Sequence, residues 1–161
     1  MLRDITVLAL CAALLVTVQV ALAVLPNIEL VSLLVMLFTL HFKWRVLFVI
    51  YVFALVEGLI FGFHPEWWFA YLYVWTILAG LTWLCRRATS PMPYAVLSGC
   101  FGLAFGPLCS LPFLVVGGPY AFYARWLGDI PFDLVHGAGN FVVCLTLWKP
   151  LDNLLGRVGK K

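Results

Sequence analysis

Residues Lys43–Arg87 read KWRVLFVIYVFALVEGLIFGFHPEWWFAYLYVWTILAGLTWLCRR: two apolar runs, joined by Phe63-His64-Pro65-Glu66 and flanked at both ends by paired basic residues. A hydrocarbon layer of roughly 30 Å is crossed by about 20 helical residues. Loops retained on the cytoplasmic side keep Lys and Arg. The stretch therefore predicts a helical hairpin that leaves the cytoplasmic face, turns outside at His64-Pro65 and returns.

The rest of the chain repeats this phase. Arg3, Lys149, Arg157, Lys160 and Lys161 fall with Lys43, Arg45, Arg86 and Arg87 in alternate gaps between apolar runs, while Arg125 lies in a gap of the opposite phase. At 65% hydrophobic and 11% charged residues, the 161-residue chain has too little polar surface for a water-soluble fold. The expectation is an all-α membrane protein, a single integral domain over 1–161, with six transmembrane helices at about 5–25, 28–42, 46–63, 67–85, 94–116 and 130–149 and both termini cytoplasmic. The net charge of +3 then faces anionic lipid headgroups and does not argue for nucleic acid. Arg3, the apolar run after it and Ala21-Leu22-Ala23 resemble a cleavable signal sequence, but Asp4 and the alternation of the later runs favour a retained first helix. The five cysteines form no CxxC pair and lie mostly in apolar runs, where thiols behave as small hydrophobes.

Arg86 to Pro93, with two arginines and two prolines, is the clearest loop. Gly99, Gly102, Gly106, Pro107 and Pro112 predict a kinked, closely packed fifth helix that Gly117-Gly118-Pro119 ends. Residues 117–129 are then a long outer segment suited to a lid or an interfacial anchor.

Five of the seven acids, Glu29, Glu57, Glu66, Asp129 and Asp133, fall in the outer half, which favours a ligand that is cationic or rich in hydrogen-bond donors. Glu57 sits about six residues, roughly 9 Å, below the outer end of its helix, and a carboxyl at that depth needs a partner. His136 is about as deep on the last helix, and Asp133, His136 and Asn140 share a helix face through their i, i+3, i+7 spacing. Glu57 and this face line a polar cavity, or else form a structural hydrogen bond pinning two helices. Trp67, Tyr71 and Trp75, four residues apart, make a stripe that stacks a flat ring; for Trp67 and Trp68 the amphipathic preference of indole for the interface explains as much. Near the cytoplasmic end of the first helix, Ala9 and Ala13 form a small-xxx-small pair that lets a partner helix approach. No phosphate loop, HExxH or GxSxG motif is present, so the sequence carries no sign of a cofactor, a metal site or its own ATPase.

Several segments together, LPNIELVSLLVMLFTL, YVFALVEGLIFGF, YLYVW and DIPFDLVHGAGNFVVCLTLWKPL, resemble a subgroup of S components, the substrate-binding subunits of energy-coupling-factor (ECF) vitamin transporters. The resemblance spans nearly the whole chain. It implies a six-helix S-component bundle in a prokaryotic plasma membrane that captures a vitamin-like micronutrient from outside. It also implies docking on a T subunit driven by two ATPase subunits, so the chain itself is not an enzyme. Ala9 and Ala13 match the family's docking motif, and Asn27, Glu29, Tyr71, Trp75, Asp133, His136 and Asn140 fall where its binding cavity lies; Glu57 joins them from depth alone. The ligand residues of the thiamine, riboflavin, folate and biotin members have no match here. Two other classes compete: a small intramembrane enzyme using Glu57 and His136 as an acid–base pair, and a membrane scaffold without a ligand cavity.

Overall fold

The computed structural model describes residues 2–159, so Lys160 and Lys161 of the basic tail lie outside the described residues. Among the described residues the chain is all-helical, with no strand. Helix α1 (Leu2–Leu22) is followed by α2 (Val31–Phe42), a single 3-10 turn (Lys43–Arg45), α3 (Val46–Phe61), α4 (Pro65–Leu84), α5 (Pro91–Leu103) and α6 (Phe105–Gly159).

Among the described residues four stretches are long and apolar enough to cross a membrane: Leu2–Leu22, Val31–Phe61, Pro65–Leu84 and Pro91–Arg157. Six separate crossings are not delimited by them, and the helix boundaries differ from the expected ones in two places. Helix α2 starts at Val31 rather than 28, and its 12 residues span only about 18 Å, short of the hydrocarbon thickness. The fifth and sixth expected helices are differently cut. One break falls at Ala104, between α5 and α6, and another inside α6 at Gly118, where φ 67° and ψ −168° are open to glycine and costly for other residues. Residues 119–129, expected as a loop, are helical. Pro119 has the fixed φ of a helix start, no further proline follows until Pro131, and Arg125 and Asp129 close an i,i+4 ion pair at 3.1 Å.

Glycine sets the packing of α5 and α6. Helix α5 and the 105–117 limb of α6 together fold back at Gly118 onto the limb that follows, with Gly99 and Gly102 of α5 opposite Phe141 and Gly137, and Gly106 of α6 opposite Asp133. A Cβ on Gly102 would lie 2.8 Å from the Gly137 Cα and 2.9 Å from the His136 carbonyl carbon, so only hydrogen at this position permits the approach. Prolines leave carbonyls that other helices satisfy. Pro112 has no N–H to give the Leu108 carbonyl, and the Tyr73 hydroxyl on α4 donates to that oxygen at 2.6 Å.

Charge is segregated along the bundle. Arg45 meets Asp4 at 3.7 Å, His41 meets Asp152 at 3.6 Å, and Lys43 and Arg86 line a common cleft with Asp152, so the basic turns collect at one end. Glu29, Glu57, Glu66, Asp129, Asp133 and Arg125 gather around two cavities toward the other, here called the acidic end.

Candidate functional site

At the acidic end, Asn27 takes a positive φ of 62°, a conformation asparagine tolerates better than most residues, and turns the chain between α1 and α2. Glu29 follows, and its Oε2 accepts the Ser32 backbone N–H at 2.8 Å, covering one of the donors that the first turn of α2 leaves free. The other Glu29 oxygen lies 3.4 Å from His136 Nε2 on α6, and Asn140 Nδ2 donates to the Ser32 hydroxyl at 3.2 Å. Two residues one helical turn apart on α6 thus clamp the entry of α2. Gly139 makes room for this: a Cβ there would sit 2.8 Å from Ile28.

Asp133 takes a different partner. The break at Ala104 frees the Gly106 N–H, and Asp133 Oδ1 accepts it at 2.9 Å, capping the start of α6 from its own second limb.

Above these contacts lie two adjoining cavities of about 350 and 250 Å³ that share Asn27, Trp67, Tyr71, Phe105 and His136 as walls. The larger adds Glu29, Glu57 and Trp75; the smaller adds Glu66, Arg125, Asp129 and Asp133. Trp67, Tyr71 and Trp75 meet edge to face down one side of α4, with ring centroids 5.1 and 5.5 Å apart, and Phe105 stands opposite, 5.6 Å from Trp75 and 4.9 Å from His136. Among the described residues Glu57 Oε1, Trp75 Nε1 and Asp133 Oδ2 are buried without a hydrogen-bond partner, as is Ser98 Oγ, which lines neither cavity. Glu57 and Trp75 are each only 2% exposed and both line the larger cavity. Unpaired buried polar atoms are rare because each forfeits its hydration, so three in one region mark a place built to be filled.

The sequence expectations fare unevenly. Asn27, Glu29, Glu57, Tyr71, Trp75 and His136 come together around the larger cavity. Asp133 reaches the smaller one, while Asn140 lines neither and acts as a tie between α6 and α2. Glu57 is one turn from the end of α3 at Phe61, about 6 Å rather than 9 Å deep. It is not hydrogen-bonded to His136, whose partner is Glu29. Phe105, Gly106 and Gln19 were not foreseen. Phe105 and Gly106 follow a helix break with no charge to mark it, and Gln19 is the one amide in the first helix, a signal within reach.

A still larger cavity, about 530 Å³, runs beside α1 at the basic end, walled chiefly by Val7, Leu8, Leu14 and Phe38. Its Asp4 is met by Arg45, and no unpartnered buried polar atom faces it among the described residues. It is an apolar groove rather than a polar binding site.

Burial alone would raise the Glu29 carboxyl, but hydrogen bonding to His136, the charge of that imidazole when protonated and the bonds from Ser32 outweigh it and hold the group below its usual 4.5. A lowered folded-state value means that Glu29 contributes its stability above the unfolded value, and that the contribution fades as pH falls through the lower folded one. The melting temperature of the detergent-solubilised chain should therefore fall between pH 6 and pH 3 more steeply than that of Glu29→Gln. Equal slopes would remove Glu29 from the acid response; the other carboxyls are common to both proteins and cancel.

No family model, curated protein or solved structure matches this chain.

Proposed function

We propose that this chain is the substrate-capturing S component of an ECF transporter: a six-span membrane subunit that takes a vitamin-like micronutrient from outside and passes it inward with a T subunit and two ATPase subunits. The observation that carries the reading is the cavity at the acidic end, lined by Glu57 and Trp75, each of which keeps a buried polar atom without a hydrogen-bond partner. Such a cavity fits capture, because a ligand supplies the missing hydrogen bonds and the aromatic walls hold a ring. The basic end faces the cytoplasm by the distribution of Lys and Arg, both termini with it, and the acidic mouth opens outside a prokaryotic plasma membrane. ATP is hydrolysed by the partners.

The docking face is consistent with this. Ala9 and Ala13 are exposed on α1, and their neighbours Leu10 and Leu14 edge the apolar groove at the basic end. A partner helix there would pack closely over the alanines. Ala9→Trp should leave ligand occupancy and melting temperature unchanged while reducing recovery of the ATPase-bearing complex by about tenfold, equivalent to about 1.4 kcal/mol of lost contact. Pull-down from membranes co-expressing the partner subunits reads this out, and full recovery with Ala9→Trp would remove the assigned face.

A further inference from the structure

Resting on the capture reading above, we propose that the ligand is a flat ring carrying a protonated nitrogen, seated with that nitrogen against Glu57 and its ring against Trp75, Tyr71 and Phe105. The charges around the two cavities are unequal. Five carboxyl groups, Glu29, Glu57, Glu66, Asp129 and Asp133, face two basic side chains, His136 and Arg125. The bases are already engaged: Arg125 Nε lies 3.1 Å from Asp129, and His136 Nε2 lies 3.4 Å from Glu29. Neither is left over for an anionic ligand.

Two acceptors and one donor, the Trp75 Nε1–H, are left over. Glu57 Oε1 is buried with no donor in reach among the described residues, and Asp133 Oδ2 repeats the pattern in the smaller cavity. An ammonium or amidinium N–H satisfies a buried carboxylate in both charge and hydrogen bonding. The walls supply the second half of the recognition. Trp75 touches Tyr71, Phe105 and Phe53, so its buried indole backs the wall whose partly exposed rings, Tyr71 and Phe105, face the cavity, and aromatic faces attract a cation. A space of about 350 Å³ accommodates a molecule of one or two rings and lies at the small end of ligand pockets.

Four probes separate charge from shape: benzamidinium, its neutral counterpart benzamide, its anionic counterpart benzoate, and cyclohexylammonium, a cation without an aromatic ring. Titrated into the detergent-purified full chain with intrinsic tryptophan fluorescence as readout, benzamidinium should bind at least about tenfold tighter than benzamide or benzoate. It should bind about threefold tighter than cyclohexylammonium. Glu57→Gln should bring benzamidinium and benzamide to within about threefold of each other. The wild-type order of the four probes carries the test even if that variant does not fold. Benzamide or benzoate binding as tightly as benzamidinium, or a charge preference that survives Glu57→Gln, would overturn the ligand class and leave capture standing. Binding of none of the four would overturn the ligand class, while an absent native adduct on the purified chain would overturn capture itself.

Discussion

Gly102→Val is expected to destabilise the chain by about 1–3 kcal/mol or more and to empty the cavity at the acidic end at the same time. A Cβ at this position meets the backbone of Gly137 and His136, which cannot turn aside as a flexible side chain would. The second limb of α6 must move outward, and the 3.4 Å approach of His136 to Glu29 is the first contact to open. That contact holds the Asn27–Glu29 turn over the larger cavity, so the ligand loses a wall as well as a partner. Gly80→Ala is the matched control. Nothing lies within 4 Å of a Cβ there, and alanine favours the helix by about 0.5–1 kcal/mol over glycine. Thermal unfolding and ligand titration of the two variants should diverge in opposite directions; a well-folded, ligand-competent Gly102→Val would show that the α5–α6 approach does not position the site.

Trp75→Ala should be the most damaging single change in the aromatic wall. The side chain is among the largest that are fully buried, and it contacts Phe53, Tyr71, Phe101 and Phe105. Truncation of such a residue typically costs about 3–5 kcal/mol, through lost contacts and the void left behind. It also removes the unpartnered Nε1 donor. Trp75→Phe keeps most of the ring and loses only the N–H, so it should retain most of the melting temperature while weakening binding of any ligand that accepts a hydrogen bond there by about five- to tenfold. If both variants bind as the wild type does, Trp75 is a packing residue and not part of the site.

Much of the architecture was legible because charge placement and apolar runs are local properties of the sequence. The basic pairs at Lys43/Arg45 and Arg86/Arg87 mark one end of the bundle, and five of the seven acids mark the other. The depth of Glu57 and the four-residue spacing of Tyr71 and Trp75 pointed to the cavity they line. Three features were not legible, each for a physical reason. Gly117-Gly118-Pro119 and the polar residues after it read as a loop, whereas one glycine absorbs the whole reversal and helix resumes at once. Asp133, His136 and Asn140 do share a helix face, but their partners Gly106, Glu29 and Ser32 are fixed by tertiary packing that spacing cannot supply. Phe105 and Gly106 gain their roles only because α5 breaks at Ala104, and neither carries a charge or a motif.

The central claim is that the acidic-end cavity captures a small molecule, and native mass spectrometry of the full chain released gently from its own membranes tests it most directly. A one-to-one small-molecule adduct is expected on the wild type, lost or strongly reduced in Glu57→Gln at equal folded yield. A wild-type chain that never carries an adduct, or an adduct retained undiminished by Glu57→Gln, would contradict it.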